Sequence, residues 1–267
     1  MRRIFRFATI VLLAAVCGVP PAVGSPSRSG EPAPAPFTVG GDVALHSFMA
    51  LADGHLQKIS DVLRLLAATD RARAADWERI RAPLTEAGKM VVPAVLWFAL
   101  PDGEYWTAPL GRAEGNISDR AYFPRLLAGK SVLGDLVVSK STSRNTAIVA
   151  VPIRGASDRV VGALGASVYL DKLGETVRRE MGGLAPGEVF FAIDAGPRGA
   201  IHSDPSMIFT DPMALGDEKM RAAFRQILSG DRGTVSYTFR GQPRTMLYEK
   251  SAVTGWWYAF GVSPRGR

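Results

Sequence analysis

The sequence predicts an α+β fold, with a long N-terminal helix followed by two antiparallel α/β units in series. Three observations carry that expectation. Between Asp42 and Ala68 apolar residues recur in steps of three or four, at Leu45, Phe48, Ala52, Leu56, Ile59, Leu63 and Leu66, which is helical periodicity. From Met90 to Leu170 the apolar runs are short and bounded by turn residues, as in strands. After the break Gly182-Gly183-Leu184-Ala185-Pro186-Gly187, a second and shorter set of strands and helix follows.

The 267 residues are 47% hydrophobic and 21% charged, which is globular composition and excludes a collagenous, coiled-coil or largely disordered chain. Arg2, Arg3 and Arg6 precede the charge-free run Phe7 to Val19. That run is shorter than the roughly 20 residues a spanning helix needs. With the small residues Ala22 and Gly24 behind it, residues 1–24 read as a secretory signal peptide cleaved after Gly24; retention as an anchor is the alternative. Three of the seven net positive charges belong to this segment, and the remaining 243 residues carry +4 spread along the chain. No linear basic patch is left, so no nucleic-acid partner is expected. The single cysteine, Cys17, also lies there, so no disulfide framework and no cysteine metal site can be built within one chain. No long apolar run follows Leu51, so no stable membrane span is expected after cleavage, and the expected location is periplasmic or secreted. Ser25 to Pro36 (SPSRSGEPAPAP) reads as a flexible or polyproline tether.

Residues 37–181 then hold the long helix and the first unit. A helix from Val43 to Ala67 would be about 37 Å long at 1.5 Å per residue, enough to lie along two stacked units. Asp76 to Leu84 suggests a second, shorter helix. Met90 to Leu100 is an apolar strand region, Pro101-Asp102-Gly103 a turn, and Glu104 to Ala108 the returning strand. Ser118 or Asp119 can cap a short helix from Ala121 to Ala128, closed by Gly129. Asn145 to Ile153 and Val160 to Leu170 are strands. In the second of these, Val160, Leu164, Ala166, Val168 and Leu170 alternate onto an apolar face suited to packing on helices. Ala163, Gly165, Ser167 and Tyr169 fall on the other face, small and then polar, suited to lining a cavity. A short helix runs near Leu173 to Met181. Residues 182–267 form the second unit: strands Glu188 to Asp194 and Gly199 to Ser203, a helix from Glu218 to Leu228 capped by Asp217 and stopped by Gly230, a hairpin turning at Gly241-Gln242-Pro243, and a last strand from Trp256 to Val262.

This order, with three local patterns, resembles the double Cache sensor domain, the tandem PAS-like extracytoplasmic module of bacterial receptors. Ser118-Asp119-Arg120-Ala121-Tyr122-Phe123 is similar to the family's Arg-x-aromatic-aromatic element over the ligand pocket of the distal unit. Val160 to Leu173 is similar to its closing strand and the start of the next helix, and Ile193-Asp194 through Gly199 to Pro205 to the first hairpin of the proximal unit. The resemblance covers roughly Val43 to Val262. It implies a ligand site in the first unit and a role in sensing. Two positions depart from the pattern of amino-acid binders. Ser167 stands where they place an Asp, and Gly115 stands where they place a Tyr five residues before the arginine. An α-amino group would therefore lack its anionic partner, which points to a small carboxylate or related metabolite.

The residues themselves fit such a pocket. Arg120 is permanently charged and can fork onto a carboxylate. Tyr105, Trp106, Tyr122 and Tyr169 offer flat walls with polar handles, and Ser141 and Ser167 offer hydroxyls. Each has a plainer reading. Arg120 could pair with Asp119 or Asp135, and Ser139, Ser141, Thr142 and Ser143 could be a solvated loop. Tyr105 and Trp106 are neighbours, so on a strand only one of them can face a cavity.

No catalytic constellation stands out. His46 and His55 are nine residues apart on a helix, which puts them on opposite faces. His202, Ser203 and Asp204 have triad residue types but are consecutive, so a strand splays them apart. The expected function is an exported, non-enzymatic small-molecule sensor without metal or cofactor. Two other readings stay open: an accessory module that docks on a membrane receptor or kinase with a vestigial pocket, and a hydrolase using His202. A homodimer could form through the long helix.

Overall fold

The long helix, α1, runs from Gly41 to Ala67 in the computed structural model, which describes residues 40–263. The expected signal peptide and tether lie outside the described residues. The helical stripe read from the sequence is the buried face: Leu45, Phe48, Ala52, Leu56, Ile59 and Leu63 are all buried, the five larger side chains each worth about 1.5–3 kcal/mol of removal from water. After α1 come a single turn α2 (Asp70–Arg73) and α3 (Trp77–Gly88), whose first turn is capped by the Asp76 carboxylate accepting from the Glu78 amide at 3.0 Å.

The first sheet is antiparallel throughout, in the order β3-β2-β1-β6-β5-β4. Its strands are β1 (Ala94–Ala99), β2 (Glu104–Thr107), β3 (Gly111–Asn116), β4 (Val132–Val138), β5 (Asn145–Arg154) and β6 (Val160–Tyr169). The short α4 (Phe123–Leu127) lies between β3 and β4, and α5 (Leu170–Glu180) follows β6 directly. The second sheet has the order β8-β7-β11-β10-β9. Its strands are β7 (Glu188–Ile193), β8 (Gly199–His202), β9 (Arg232–Phe239), β10 (Gln242–Lys250) and β11 (Trp257–Val262). A 3-10 turn at Pro205–Met207, a one-turn α6 (Pro212–Leu215) and α7 (Glu218–Ser229) connect β8 to β9. Asp217 caps α7 as expected, accepting from the Met220 amide at 2.9 Å.

One apolar core runs under α1 through both halves. It joins Phe98, Val149, Leu164 and Ala166 of the first sheet to Phe190, Ala192 and Tyr258 of the second. Phe48 of α1 sits 4.5 Å from Phe190 and 5.1 Å, edge-on, from Tyr258. A buried polar clamp fixes the helix register. The Asp53 carboxylate accepts from the hydroxyls of Ser251 at 2.5 Å, Tyr258 at 2.6 Å and Thr254 at 3.2 Å. The halves also meet where Trp256 donates its indole N–H to the Gly134 carbonyl at 2.9 Å. Each sheet turns its other face away from α1, onto α4 in the first half and onto α7 in the second.

Several local details differ from the sequence reading. The first strand begins at Ala94, not Met90, because Pro93 has no N–H for a ladder. β3 and β4 were not expected. β3 (GRAEGN) has almost no apolar content, and β4 is broken by a bulge at Gly134 that disrupts its alternation. α4 starts at Phe123 with no side-chain cap, so neither Ser118 nor Asp119 plays that part; Asn116 Oδ1 instead accepts from the Ser118 amide at 2.8 Å. α5 starts three residues earlier than expected, at Leu170. The β9–β10 hairpin turns at Arg240-Gly241, both at positive φ (50° and 75°), because a two-residue turn with that twist matches the strands better than one built on Pro243.

Candidate functional site

On the first sheet's face away from α1 lies a small, partly open cavity. Its floor comes from β1, β5 and β6 through Trp97, Ile148 and Ser167. Tyr105 of β2 closes one side. The segment from Ile117 to Tyr122 covers the mouth with Arg120 and Tyr122, and Val137 to Ser141 forms the opposite rim. The floor depends on one small residue. Gly165 lies under the Trp97 indole, which occupies the space a Cβ would need. Trp97 in turn packs 6.5 Å from Tyr122.

The structure brings Arg120, Tyr122, Tyr105, Ser141 and Ser167 together at this cavity. It does not bring Trp106 or Tyr169. Trp106 points to the opposite face of β2, stacked on Phe98 at 5.7 Å and on Trp77 of α3 at 6.4 Å, as strand alternation requires of Tyr105's neighbour. Tyr169 ends β6 outside the cavity. The Arg144 guanidinium lies 3.6 Å over its ring and also holds Asp171 at 2.7 Å.

Arg120 is not consumed by a structural carboxylate. Asp119 pairs with Lys140 at 2.7 Å, and Asp135 pairs with Arg125. Arg120 donates one guanidinium N–H to the Val138 carbonyl at 2.8 Å, and among the described residues no acid lies within ion-pair distance of it. Most of its five donors therefore remain for a ligand. Lys140, which also donates to the Asn116 carbonyl at 2.6 Å, sets a second cation on the rim. Ser139 and Ser141 are joined Oγ to Oγ at 3.2 Å. Burial pushes the Tyr105 and Tyr122 hydroxyls up, and the nearby Arg120 charge opposes this in both. Both phenols are thus neutral donors at physiological pH.

Sequence reasoning missed Lys140 and the apolar walls Trp97, Ile117, Val137 and Ile148. Val137 went unread with β4, whereas Trp97 and Ile148 lie on strands that were read but whose cavity-facing side depends on register. Among the described residues no group of three His, Cys, Asp or Glu side chains could hold a metal ion, and no helix is long and apolar enough to cross a membrane.

No protein-family model matches the chain, and no curated protein matches it in sequence. Solved structures do match. An extracellular ligand-binding receptor from Desulfohalobium retbaense superposes with a TM-score of 0.67 at 13% identity over 84% of this chain, which spans 40% of that receptor's length. The ligand-binding domain of the Pseudomonas fluorescens chemoreceptor CtaA, solved with L-serine, gives 0.63 at 15% identity, covering 84% of this chain and 93% of that one. The ligand-binding domain of the Pseudomonas aeruginosa amino-acid chemoreceptor PctB, solved with L-Arg, gives 0.61 at 15% identity, covering 84% and 92%. The likeness at this identity is one of architecture, and that architecture, a long helix carrying two antiparallel sheets in tandem, is the double Cache fold of extracellular sensor domains.

Proposed function

We propose that this chain is a non-enzymatic sensor module that binds a small polar carboxylate in the first-half cavity. One observation carries the ligand class: the residues lining the cavity include Arg120, which has no ion-pair partner among the described residues, and three serine hydroxyls but no acid. The Arg120 fork takes the carboxylate. Tyr122 and Tyr105 pack on the body, and Ser141 and Ser167 hydrogen-bond to its remaining oxygens. An α-ammonium group would find no carboxylate among these residues, and burying an unpaired charge costs several kcal/mol. Ligand binding favours whichever arrangement of the cavity rim holds it better. The continuous core under α1 is a route by which that preference reaches the second half. A membrane receptor or kinase would read the change.

A thermal-shift screen of small polar acids (lactate, pyruvate, malate, succinate) and of the common amino acids tests this. A ligand present at one hundred times its Kd adds about 2.7 kcal/mol, which for a chain of this size is roughly 5–10 °C. An acid should produce such a shift in the wild type and none in Arg120→Ala. No stabilisation by any acid, or an equal shift in the variant, contradicts the assignment.

A further inference from the structure

The second half contains its own half-open pocket, on the face of its sheet turned away from α1. Its walls are mostly apolar and aromatic. Phe191 of β7 stacks on Phe224 of α7 at 5.4 Å, and Phe224 meets Tyr237 of β9 at 5.6 Å. Met207 and Met220 fill the remaining sides. Besides the hydroxyls of Thr210 and Tyr237, two nitrogen-bearing side chains enter this lining. The first is Arg244 of β10. Its guanidinium lies 4.7 Å over the Phe239 ring, and its Nε is buried with no hydrogen-bond partner among the described residues. No acid of the described residues pairs with it, although the neighbouring Arg240 reaches Asp204 at 3.6 Å. The second is His202 of β8, stacked on Phe191 at 6.1 Å. Its Nδ1 accepts from the Asp204 amide at 2.8 Å, which puts the ring proton on Nε2. Burial, aided by Arg244, pushes its pKa down to about 4, so the ring is a neutral donor at physiological pH.

Arg244 is half-buried, but its buried Nε has no partner among the described residues, which is an incomplete arrangement, since buried polar groups are ordinarily hydrogen-bonded. We propose that this cavity is a second ligand site, which takes a monocarboxylate with an apolar body. Arg244 and the His202 Nε2–H would receive the anionic head, and the aromatic walls and the two methionines the body. The proposal is independent of the first-cavity reading: it rests on different residues, and it asks for an apolar acid where the first cavity asks for a polar one.

The cavity carries its own reporters. Met207 and Met220 line it, so the full chain labelled with ¹³C-methyl methionine and titrated with butyrate, hexanoate and phenylacetate localises binding directly. The Met207 and Met220 methyl signals should move with at least one of these acids, and move equally in Arg120→Ala. In Arg244→Gln the affinity should fall roughly tenfold to a hundredfold, the worth of a hydrogen bond to a charged group. Arg244→Lys, which keeps the charge without the fork, should fall between. Wild-type signals unmoved at millimolar acid overturn the proposal without any variant. Equal affinity in Arg244→Gln overturns the anionic recognition. Loss of the response in Arg120→Ala assigns the acid to the first cavity and overturns it as well.

Discussion

Asp53 is the residue whose replacement most sharply tests how α1 is held to the second half. It is 8% exposed and accepts three side-chain hydroxyls, two of them at 2.6 Å or less. Asp53→Ala removes the acceptor and leaves Tyr258, which is completely buried, with a hydroxyl that has lost its partner. Hydrogen bonds to a charged group are worth about 1.5–3 kcal/mol each. They are not additive within one cluster, and breaking a buried charged arrangement from one side typically costs about 3–5 kcal/mol. We expect a loss of that size. Urea unfolding should show it as a midpoint lowered by roughly 1–3 M with an unchanged slope. Tyr258→Phe should cost about 1.5–3 kcal/mol, less than Asp53→Ala, because it deletes one donor and leaves the carboxylate two others. In the double variant the Tyr258→Phe cost should largely vanish. A loss below about 1 kcal/mol for Asp53→Ala, or strict additivity in the cycle, refutes the clamp.

Gly165→Ala should push the Trp97 indole into the first cavity, because ring atoms already occupy the position of the added Cβ; a cost of about 1–3 kcal/mol and a loss of acid binding are expected, read by unfolding and calorimetry. His202 makes stability depend on pH. Its folded pKa of about 4 lies below the ordinary 6.5, so the unfolded chain binds the extra proton first. The wild type should therefore lose up to about 3 kcal/mol as pH falls from 6.5 to 4, and His202→Gln should flatten that part of the urea-midpoint profile.

What the sequence disclosed and what it withheld divide along physical lines. The α1 stripe was legible because one face of a long helix is buried along almost its whole length, so Leu45 to Leu63 repeat without interruption. β6 was legible for the opposite reason: its two faces meet different surroundings, the core under α1 at Leu164 and Ala166 and the cavity at Ser167. β3 was not legible, because an edge strand with polar residues carries no alternation. The bulge at Gly134 hid β4, and with it Val137 of the rim. Arg120 and Tyr122 were singled out through a family pattern, and no local periodicity marks them. That the floor is Trp97 rather than Trp106 depends on strand register, which pairs Phe98 with Trp106 and leaves Trp97 facing the other way. The second cavity could not be read at all, since it joins Phe191, His202, Phe224 and Arg244 from four separate elements.

The central claim is that the first cavity recognises a carboxylate and has nothing for an ammonium group. Calorimetric titration with pairs that share a carbon skeleton, lactate with alanine and malate with aspartate, isolates that feature. At least one hydroxy acid should bind ten or more times tighter than its amino counterpart, a difference of about 1.4 kcal/mol or greater, and the preference should disappear with Arg120→Ala. Tighter binding of alanine or aspartate, or acid binding indifferent to Arg120, would contradict the account.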